Sequence, residues 1–183
     1  PLVITTVTSA LLLPLLLIFI TSVIATEPCP QYCSLCSVEM VSCVTDHTNP
    51  FPLNLDPKTQ RISITYISDI GFTLTASMVN PYQLLEELSL TGNVSSIEEK
   101  AFSKQDRLTS LTIQNSLLEK LHNNIFGNLS KPTILRSLKL NNNPFMRLLP
   151  ANVFPSLSYL ETLDLSYNTF RICIGNNTIS SAF

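Results

Sequence analysis

The chain has little charge, little glycine and few histidines, and these shortages exclude several classes of function. Its 183 residues include 11 basic and 13 acidic residues, for a formal net charge of −2. A nucleic-acid-binding domain usually carries a clear basic excess, so we expect no nucleic-acid partner. The four glycines and two histidines form no G-x-S-x-G, no H-E-x-x-H and no phosphate-binding loop. We therefore expect neither an enzyme nor a bound cofactor.

Apolar residues are concentrated at the start of the chain. Residues 1–26 carry no charged side chain, and residues 11–20 read LLLPLLLIFI. The stretch ends at Ala25, a small residue with Val23 two positions before it, which is the pattern that signal peptidase prefers. We interpret residues 1–25 as a signal peptide whose true start is missing, since no Met and no charged n-region precede it. An uncleaved anchor helix is the alternative, and it also exports the rest of the chain.

Four cysteines follow this segment directly. Cys29, Cys33, Cys36 and Cys43 lie within fifteen residues of one another, which in an exported chain predicts two disulfides. A C-x-x-C redox motif is one alternative, and a zinc site that includes His47 is another. The first needs a βαβ setting that does not surround it, and the second needs thiols kept reduced. Spacing alone leaves three possible pairings of the four cysteines.

A repeat begins near Thr59. The leucine-rich consensus is L-x-x-L-x-L-x-x-N/C-x-L, with a period of about 20–29 residues. Residues 135–145 (LRSLKLNNNPF) and 160–170 (LETLDLSYNTF) match it throughout, with Phe in the last place. Residues 85–93 (LEELSLTGN) match through the Asn, residues 108–118 (LTSLTIQNSLL) have Ser in that place, and the first copy keeps only Ile62 and Ile64. The starts at 59, 85, 108, 135 and 160 are 26, 23, 27 and 25 residues apart, so the five copies are in phase.

Each copy predicts one short strand followed by an inward-facing polar turn. The two central apolar residues alternate with outward-facing neighbours, as expected of a strand. The Asn at the ninth position is expected to turn inward and to satisfy backbone groups where the chain leaves the strand. Because one copy cannot bury its own apolar face, neighbouring copies must stack into a solenoid. A second apolar rung follows in the later half of the copies, at Ala101-Phe102, Ile125-Phe126 and Val153-Phe154.

The cysteine cluster and the repeats together resemble the extracellular leucine-rich-repeat family. The repeats cover Thr59 to about Cys173, and the cysteine-rich cap comes before them. The resemblance implies an α/β-type solenoid: a horseshoe with short parallel strands on its concave face and a disulfide-stapled N-terminal cap. It also implies the pairs Cys29–Cys36 and Cys33–Cys43, although two residues, not the usual one, separate the second and third cysteines. The expected organisation is a signal peptide at 1–25, a cap at 26–58 and about five repeats at 59–183. The phrase IFGNL at 125–129 is similar to the carboxypeptidase N regulatory subunit and platelet glycoprotein V group.

This resemblance implies an extracellular module, secreted or at the cell surface, that recognises or stabilises a protein partner. The alternative is a fragment of the ectodomain of a transmembrane leucine-rich-repeat receptor or adhesion protein. No capping motif follows Asn176, so we expect further chain beyond Phe183, and a membrane anchor only if that chain carries one. Counting from the start of each repeat places Cys173 with Leu121 and Leu148 at an inward position. A buried free thiol is thus predicted, with a disulfide to a later cysteine as the alternative.

The second, third, fifth, seventh and eighth residues of each repeat are predicted to form one concave binding surface. Aromatic and arginine side chains are enriched at binding hot spots, which favours Tyr167 and Arg136 as anchors. The alternative is that these are solvated strand residues that pair across strands. The candidate contact residues are Arg61, Tyr66, Glu86, Glu87, Gln114, Arg136, Lys139, Asp164 and Tyr167, accompanied by Thr65, Thr91, Thr112, Asn115, Asn141, Asn142, Glu161 and Ser166.

Three sequons for N-glycosylation begin at Asn93, Asn128 and Asn176. Asn128 falls in the loop half of its repeat, and we predict glycans at Asn128 and Asn176. Asn93 occupies the inward ninth position, where a glycan would not fit, so we predict that Asn93 stays unmodified.

Overall fold

A computed structural model describes residues 29–122, 124–127, 133–150, 153–154 and 157–170 of the protein. These residues form a parallel β-solenoid of about five turns. The predicted signal peptide at 1–25, the sequons at Asn128 and Asn176, and Cys173 lie outside the described residues.

Nine strands and one short helix make up the regular secondary structure of the described residues. Seven strands form the main sheet, in the order β1-β2-β3-β5-β7-β8-β9, while β4 and β6 form a separate two-stranded sheet. Only β1 and β2 pair antiparallel; every other pair is parallel. The elements are β1 (Cys33–Cys36), β2 (Met40–Thr45), β3 (Arg61–Tyr66), β4 (Phe72–Leu74), α1 (Ala76–Val79), β5 (Glu87–Thr91), β6 (Val94–Ile97), β7 (Ser110–Gln114), β8 (Ser137–Lys139) and β9 (Thr162–Asp164).

The core is a column of aliphatic side chains inside the solenoid. In β3 the side chains of Ile62 and Ile64 are buried, whereas those of Arg61 and Thr65 are exposed, so the strand alternates as predicted. Each turn covers the apolar face of the turn before it, which a single turn could not bury alone. The register stacks one such position through five strands: Ile62, Leu88, Leu111, Leu138 and Leu163.

The same backbone hydrogen bond recurs just before each strand from β5 onward. The amide N of Glu86 donates to the carbonyl O of Gln60 at 2.7 Å, and that of Thr109 donates to Glu86 at 2.8 Å. Arg136 donates to Thr109 and Glu161 donates to Arg136, both at 2.8 Å. These bonds join residues 23 to 27 positions apart, and the predicted repeat is therefore confirmed as the repeat of the solenoid.

The segments that connect the strands contain almost no helix. Within the described segments α1 is the only α-helix, and it is four residues long. The expectation of an α/β-type solenoid is therefore wrong for this part of the chain. In the connections after β3 and β5 the chain is partly extended, and pairing between β4 and β6 satisfies backbone groups there. None of the described helical residues makes a helix with the length and apolar character needed to cross a bilayer.

The cap joins the main sheet directly. Its four cysteines form two disulfides as expected, Cys29 with Cys36 and Cys33 with Cys43, the pairing that the family resemblance implies. Strand β2 pairs with β3 along its whole length, so the cap supplies a strand that the repeat count did not include. One end of the sheet is therefore closed by the disulfide-linked hairpin of β1 and β2.

Candidate functional site

The outward side chains of the main sheet form rows that cross the strands. Neighbouring strands lie about 4.7–4.9 Å apart, so residues in register are direct neighbours on this face. We call these rows, with the turn residues that follow each strand, the strand surface. The central row is Ser42, Ser63, Ser89, Thr112, Lys139 and Asp164. The rows on either side are Met40, Arg61, Glu87, Ser110, Ser137 and Thr162, and Val44, Thr65, Thr91 and Gln114.

Eight of the nine candidate contact residues are at least partly exposed on this surface or at the ends of its strands. They are Arg61, Glu86, Glu87, Gln114, Arg136, Lys139, Asp164 and Tyr167. The middle of the surface, from β3 to β7, combines hydroxyl side chains with the charged Arg61, Glu86 and Glu87, and the four charged residues Arg136, Lys139, Glu161 and Asp164 lie at β8 and β9.

Charges at the β8–β9 end of the surface are paired. Arg136 forms an ion pair with Glu161, although both side chains remain more than half exposed. Lys139 and Asp164 are neighbours in register. The side-chain hydroxyl and the backbone N–H of Ser166 hold the pKa of Asp164 below its usual value, and attraction to Lys139 lowers it further. Pairing across strands, which the sequence left open, therefore does occur here.

Tyr66, the ninth candidate, does not lie on the strand surface. Its side chain is only 7% exposed, so its prediction as a contact residue is wrong. Strand β3 extends through Tyr66, and the inward alternation of Ile62 and Ile64 continues to it. Its hydroxyl donates to the carbonyl O of Pro50 at 2.6 Å, and its ring centroid lies 4.8 Å from that of Phe72. The alternation of apolar residues at 62, 64 and 66 is the sequence feature that indicates the inward position of Tyr66.

Burial of Tyr66 predicts a loss of stability at alkaline pH. Burial raises the pKa of the Tyr66 hydroxyl, because the phenolate would lose its hydration. An unfolded tyrosine titrates at about pH 10, so this stabilisation is complete below that pH and is lost as the pH rises above it. Urea unfolding from pH 7 to about pH 11 should therefore show a steeper loss of the free energy of unfolding for the wild type than for Tyr66→Phe. Exposed Tyr159→Phe is the control, and an equally steep decline for Tyr66→Phe would contradict the prediction.

The eighth residue of each later repeat has a left-handed backbone and lies in the turn that follows the strand. The φ angles are 89° at Gly92, 53° at Asn115, 55° at Asn142 and 57° at Tyr167. Glycine and asparagine tolerate this conformation, but an aromatic residue rarely adopts it. Tyr167 is also 82% exposed, so packing does not compensate for the backbone cost. An exposed aromatic residue in a strained turn is the most unusual feature of the strand surface, and such outliers cluster at functional sites.

Behind these turns, two asparagines form a ladder of hydrogen bonds, in which Asn143 is fully buried and Asn168 is partly buried. Asn143 Nδ2 donates to the carbonyl O atoms of Ile113 and Leu140 at 2.9 and 2.8 Å, and its Oδ1 accepts from Ser116 N at 3.0 Å. Asn168 repeats this arrangement: its Oδ1 accepts from Asn143 N at 2.8 Å, and its Nδ2 donates to Leu140 O at 2.7 Å. The predicted role of the ninth residue is confirmed at these two positions, where the ladder holds the turn beside the strand surface.

Asn93 does not join the ladder. Both Gly92 and Asn93 have positive φ angles, 89° and 53°, so the turn after β5 differs from the later ones. Gly92 is required there, because a Cβ atom would lie 3.0 Å from the carbonyl O of Tyr66. The Nδ2 atom of Asn93 is buried and has no hydrogen-bond partner.

We predict that the sequon at Asn93 carries no glycan in the folded, secreted protein. A glycan is attached to Nδ2, and burial of this atom leaves no room for a sugar. Glycopeptide mass spectrometry should find residue 93 unmodified even where Asn128 is occupied, and high occupancy at Asn93 would show that this turn opens in the protein.

The fourth repeat contains a one-residue shift that the consensus match did not show. Phe145, which fills the last apolar place of the consensus, is 47% exposed, while Met146 is fully buried. The cause is a tight turn at Pro144, closed by the hydrogen bond from Met146 N to Asn143 O at 2.9 Å. The inward position predicted for Leu148 is therefore wrong: Leu148 is 55% exposed, and its backbone forms an isolated parallel β-bridge with Lys120.

The cap adds apolar residues to the strand surface that the sequence analysis missed. Leu35, Met40 and Val44 are exposed on β1 and β2, and Met40 and Val44 lie in register with Arg61 and Thr65. The alternation in MVSCV at 40–44, with Val41 and Cys43 buried, is the sequence feature that indicates that Met40 and Val44 face outward. The surface is thus apolar at the cap, mixes hydroxyl and charged side chains from β3 to β7, and carries paired charges at β8 and β9.

Comparison with known proteins gives no independent guide, because no protein-family model and no curated protein matches the chain. In the described part of the chain, no group of three or more His, Cys, Asp or Glu side chains is arranged to hold a metal ion. The strand surface is the candidate site that the geometry supports best.

Proposed function

We propose that the protein is an extracellular leucine-rich-repeat protein that binds a protein partner through the strand surface. The observation that carries the proposal is Tyr167, an exposed aromatic side chain in a left-handed turn at the charged end of a continuous sheet. In this proposal the sheet is the concave face of a horseshoe. The two disulfides of the cap are compatible with an extracellular location.

The distribution of charge favours a protein over a polyanion as the partner. Arg136 is paired with Glu161, and Lys139 lies beside Asp164. A polyanion would be repelled by these acids, whereas a protein surface of mixed charge can be complementary to both signs. The apolar side chains at the cap end suit the apolar centre of a protein interface.

The turn at Tyr167 allows a test that separates binding from folding. The corresponding residue of the two preceding repeats is Asn, so Tyr167→Asn should keep the left-handed backbone conformation. Because Asn adopts this conformation more easily than Tyr, the substitution should stabilise the protein by about 1 kcal/mol. We expect the same substitution to weaken partner binding by more than about 1 kcal/mol, because it removes the aromatic anchor. Arg136→Ala should also weaken binding.

The partner would first be identified by screening the secreted protein against a panel of purified extracellular proteins. Affinities of the variants would then be measured by surface plasmon resonance, with exposed Lys104→Ala, between β6 and β7, as the control. If Tyr167→Asn and Arg136→Ala bind like the wild type while Lys104→Ala does not, the strand surface is not the binding site.

A further inference from the structure

A pocket of about 250 Å³ lies outside the strands of the main sheet, between the third and fourth repeats. Its lining consists of Glu119, Lys120, Phe145, Arg147 and Leu148. For scale, a cavity of about 150 Å³ holds benzene, and drug-sized ligands occupy about 300–1,000 Å³. The pocket therefore has room for one large apolar side chain and a carboxylate-sized group.

The shift in the fourth repeat creates this pocket. The turn at Pro144 moves Met146 into the core and leaves Phe145 and Leu148 facing solvent, next to the third repeat. Two backbone contacts fix the two segments side by side: Arg147 N donates to Glu119 O at 3.1 Å, and Lys120 bridges to Leu148. Both apolar walls are thus built on backbone that is already hydrogen-bonded.

The pocket carries an excess of positive charge. Lys120 and Arg147 lie on adjacent segments, and within the described residues neither has a carboxylate at ion-pair distance. Glu119 is the single acid of the lining, which leaves a net charge of +1. An occupant with one anionic group, one apolar side chain and one N–H donor would complement all of these groups.

We propose that this pocket binds the C-terminal residue of a partner polypeptide whose last side chain is apolar. Arg147 and Lys120 bind the terminal carboxylate through charge-assisted hydrogen bonds. Phe145 and Leu148 contact the apolar side chain, and Glu119 accepts a hydrogen bond from the amide N–H of the terminal residue. Capture of a terminal carboxylate is a recurring mode of peptide recognition, and this site is independent of the strand surface.

The test compares two probes that differ only in the terminal group, N-acetyl-glycyl-phenylalanine and its C-terminal amide. Isothermal titration into the full chain should give a dissociation constant of about 1 mM or lower for the acid. The amide should bind about tenfold more weakly or worse, because it lacks the charge that Arg147 and Lys120 bind. Arg147→Gln and Leu148→Ser should each weaken binding of the acid by about tenfold.

Lys58→Gln is the matched control, because Lys58 is an exposed cation in the cap and should leave binding unchanged. Arg147 and Leu148 are both exposed, so their variants should keep the wild-type melting temperature. Equal affinity for acid and amide, wild-type affinity of Arg147→Gln, or no heat at about 10 mM acid would each overturn the proposal. Free phenylalanine binding more tightly than the acetylated dipeptide would overturn it in favour of an amino-acid site.

Discussion

Replacing Asn143 with alanine is expected to lower the free energy of unfolding by about 3 kcal/mol. The side chain is fully buried, and three hydrogen bonds connect it to the backbones of two turns. Leu140 O would keep Asn168 as a donor, but Ser116 N and Ile113 O would lose their partner. Each buried backbone group left unpaired costs about 1–3 kcal/mol, and the cavity adds to this.

Urea unfolding followed by circular dichroism would measure this loss. The matched control is Asn49→Ala, because Asn49 is exposed and its amide bonds only to the neighbouring Thr48. This variant should stay within about 0.5 kcal/mol of the wild type. A cost below about 1 kcal/mol for Asn143→Ala would mean that water satisfies the ladder positions and that they are not buried in solution.

Removal of the Cys33–Cys43 disulfide is expected to have the second large effect on the free energy of unfolding. Cys43 is buried in the core at the centre of β2, and the bridge joins this strand to β1. Replacing both cysteines with alanine should lower the free energy of unfolding by about 2–5 kcal/mol and should reduce the yield of secreted protein.

The other disulfide provides an internal control of similar loop length. The Cys29–Cys36 bridge spans 7 residues and the Cys33–Cys43 bridge spans 10, so chain entropy predicts nearly equal contributions. Cys29 and Cys36 are exposed, however, and contribute no core packing. Thermal unfolding of the two double-alanine variants should therefore show the larger loss for Cys33 and Cys43, and a larger loss for Cys29 and Cys36 would contradict this account.

The repeat could be predicted from sequence because its physical cause lies within a single copy. Two inward apolar residues recur in every copy, and the consensus places the inward Asn143 and Asn168 of the last two copies correctly. The outward candidates followed from the same alternation, and eight of the nine reach solvent.

The predictions of which side chains face inward are wrong where the backbone departs from the consensus register. The eighth residue of each copy is predicted to face outward, but β3 continues through Tyr66, the eighth residue of the first copy, and keeps its side chain inside. Phe145 was matched to an inward consensus position, but the turn at Pro144 gives this place to Met146. A letter-by-letter match cannot detect such shifts, because Phe and Met are equally apolar and only the hydrogen-bonded turn distinguishes them.

The pairing of the cap with the sheet also could not be predicted from the consensus. The segment MVSCVT of β2 lacks the leucine pattern, although its alternation suits a strand. Its pairing with β3 places the buried Val41 and Cys43 beside Ile62 and Ile64, a contact between cap and repeat that a consensus of the repeat alone does not contain.

The reversed direction of β1 has a consequence for crowded solutions of this protein. A stack of parallel strands can in principle be extended by the last strand of another copy, which is how exposed sheet edges lead to fibres. At the cap end, however, the outermost of the described strands runs opposite to the other six and is four residues long. An incoming strand would find the wrong polarity and few free backbone groups, so copies cannot join end to end in the register of the turns. The cap thereby acts as a terminator against polymerisation as well as a cover for the core.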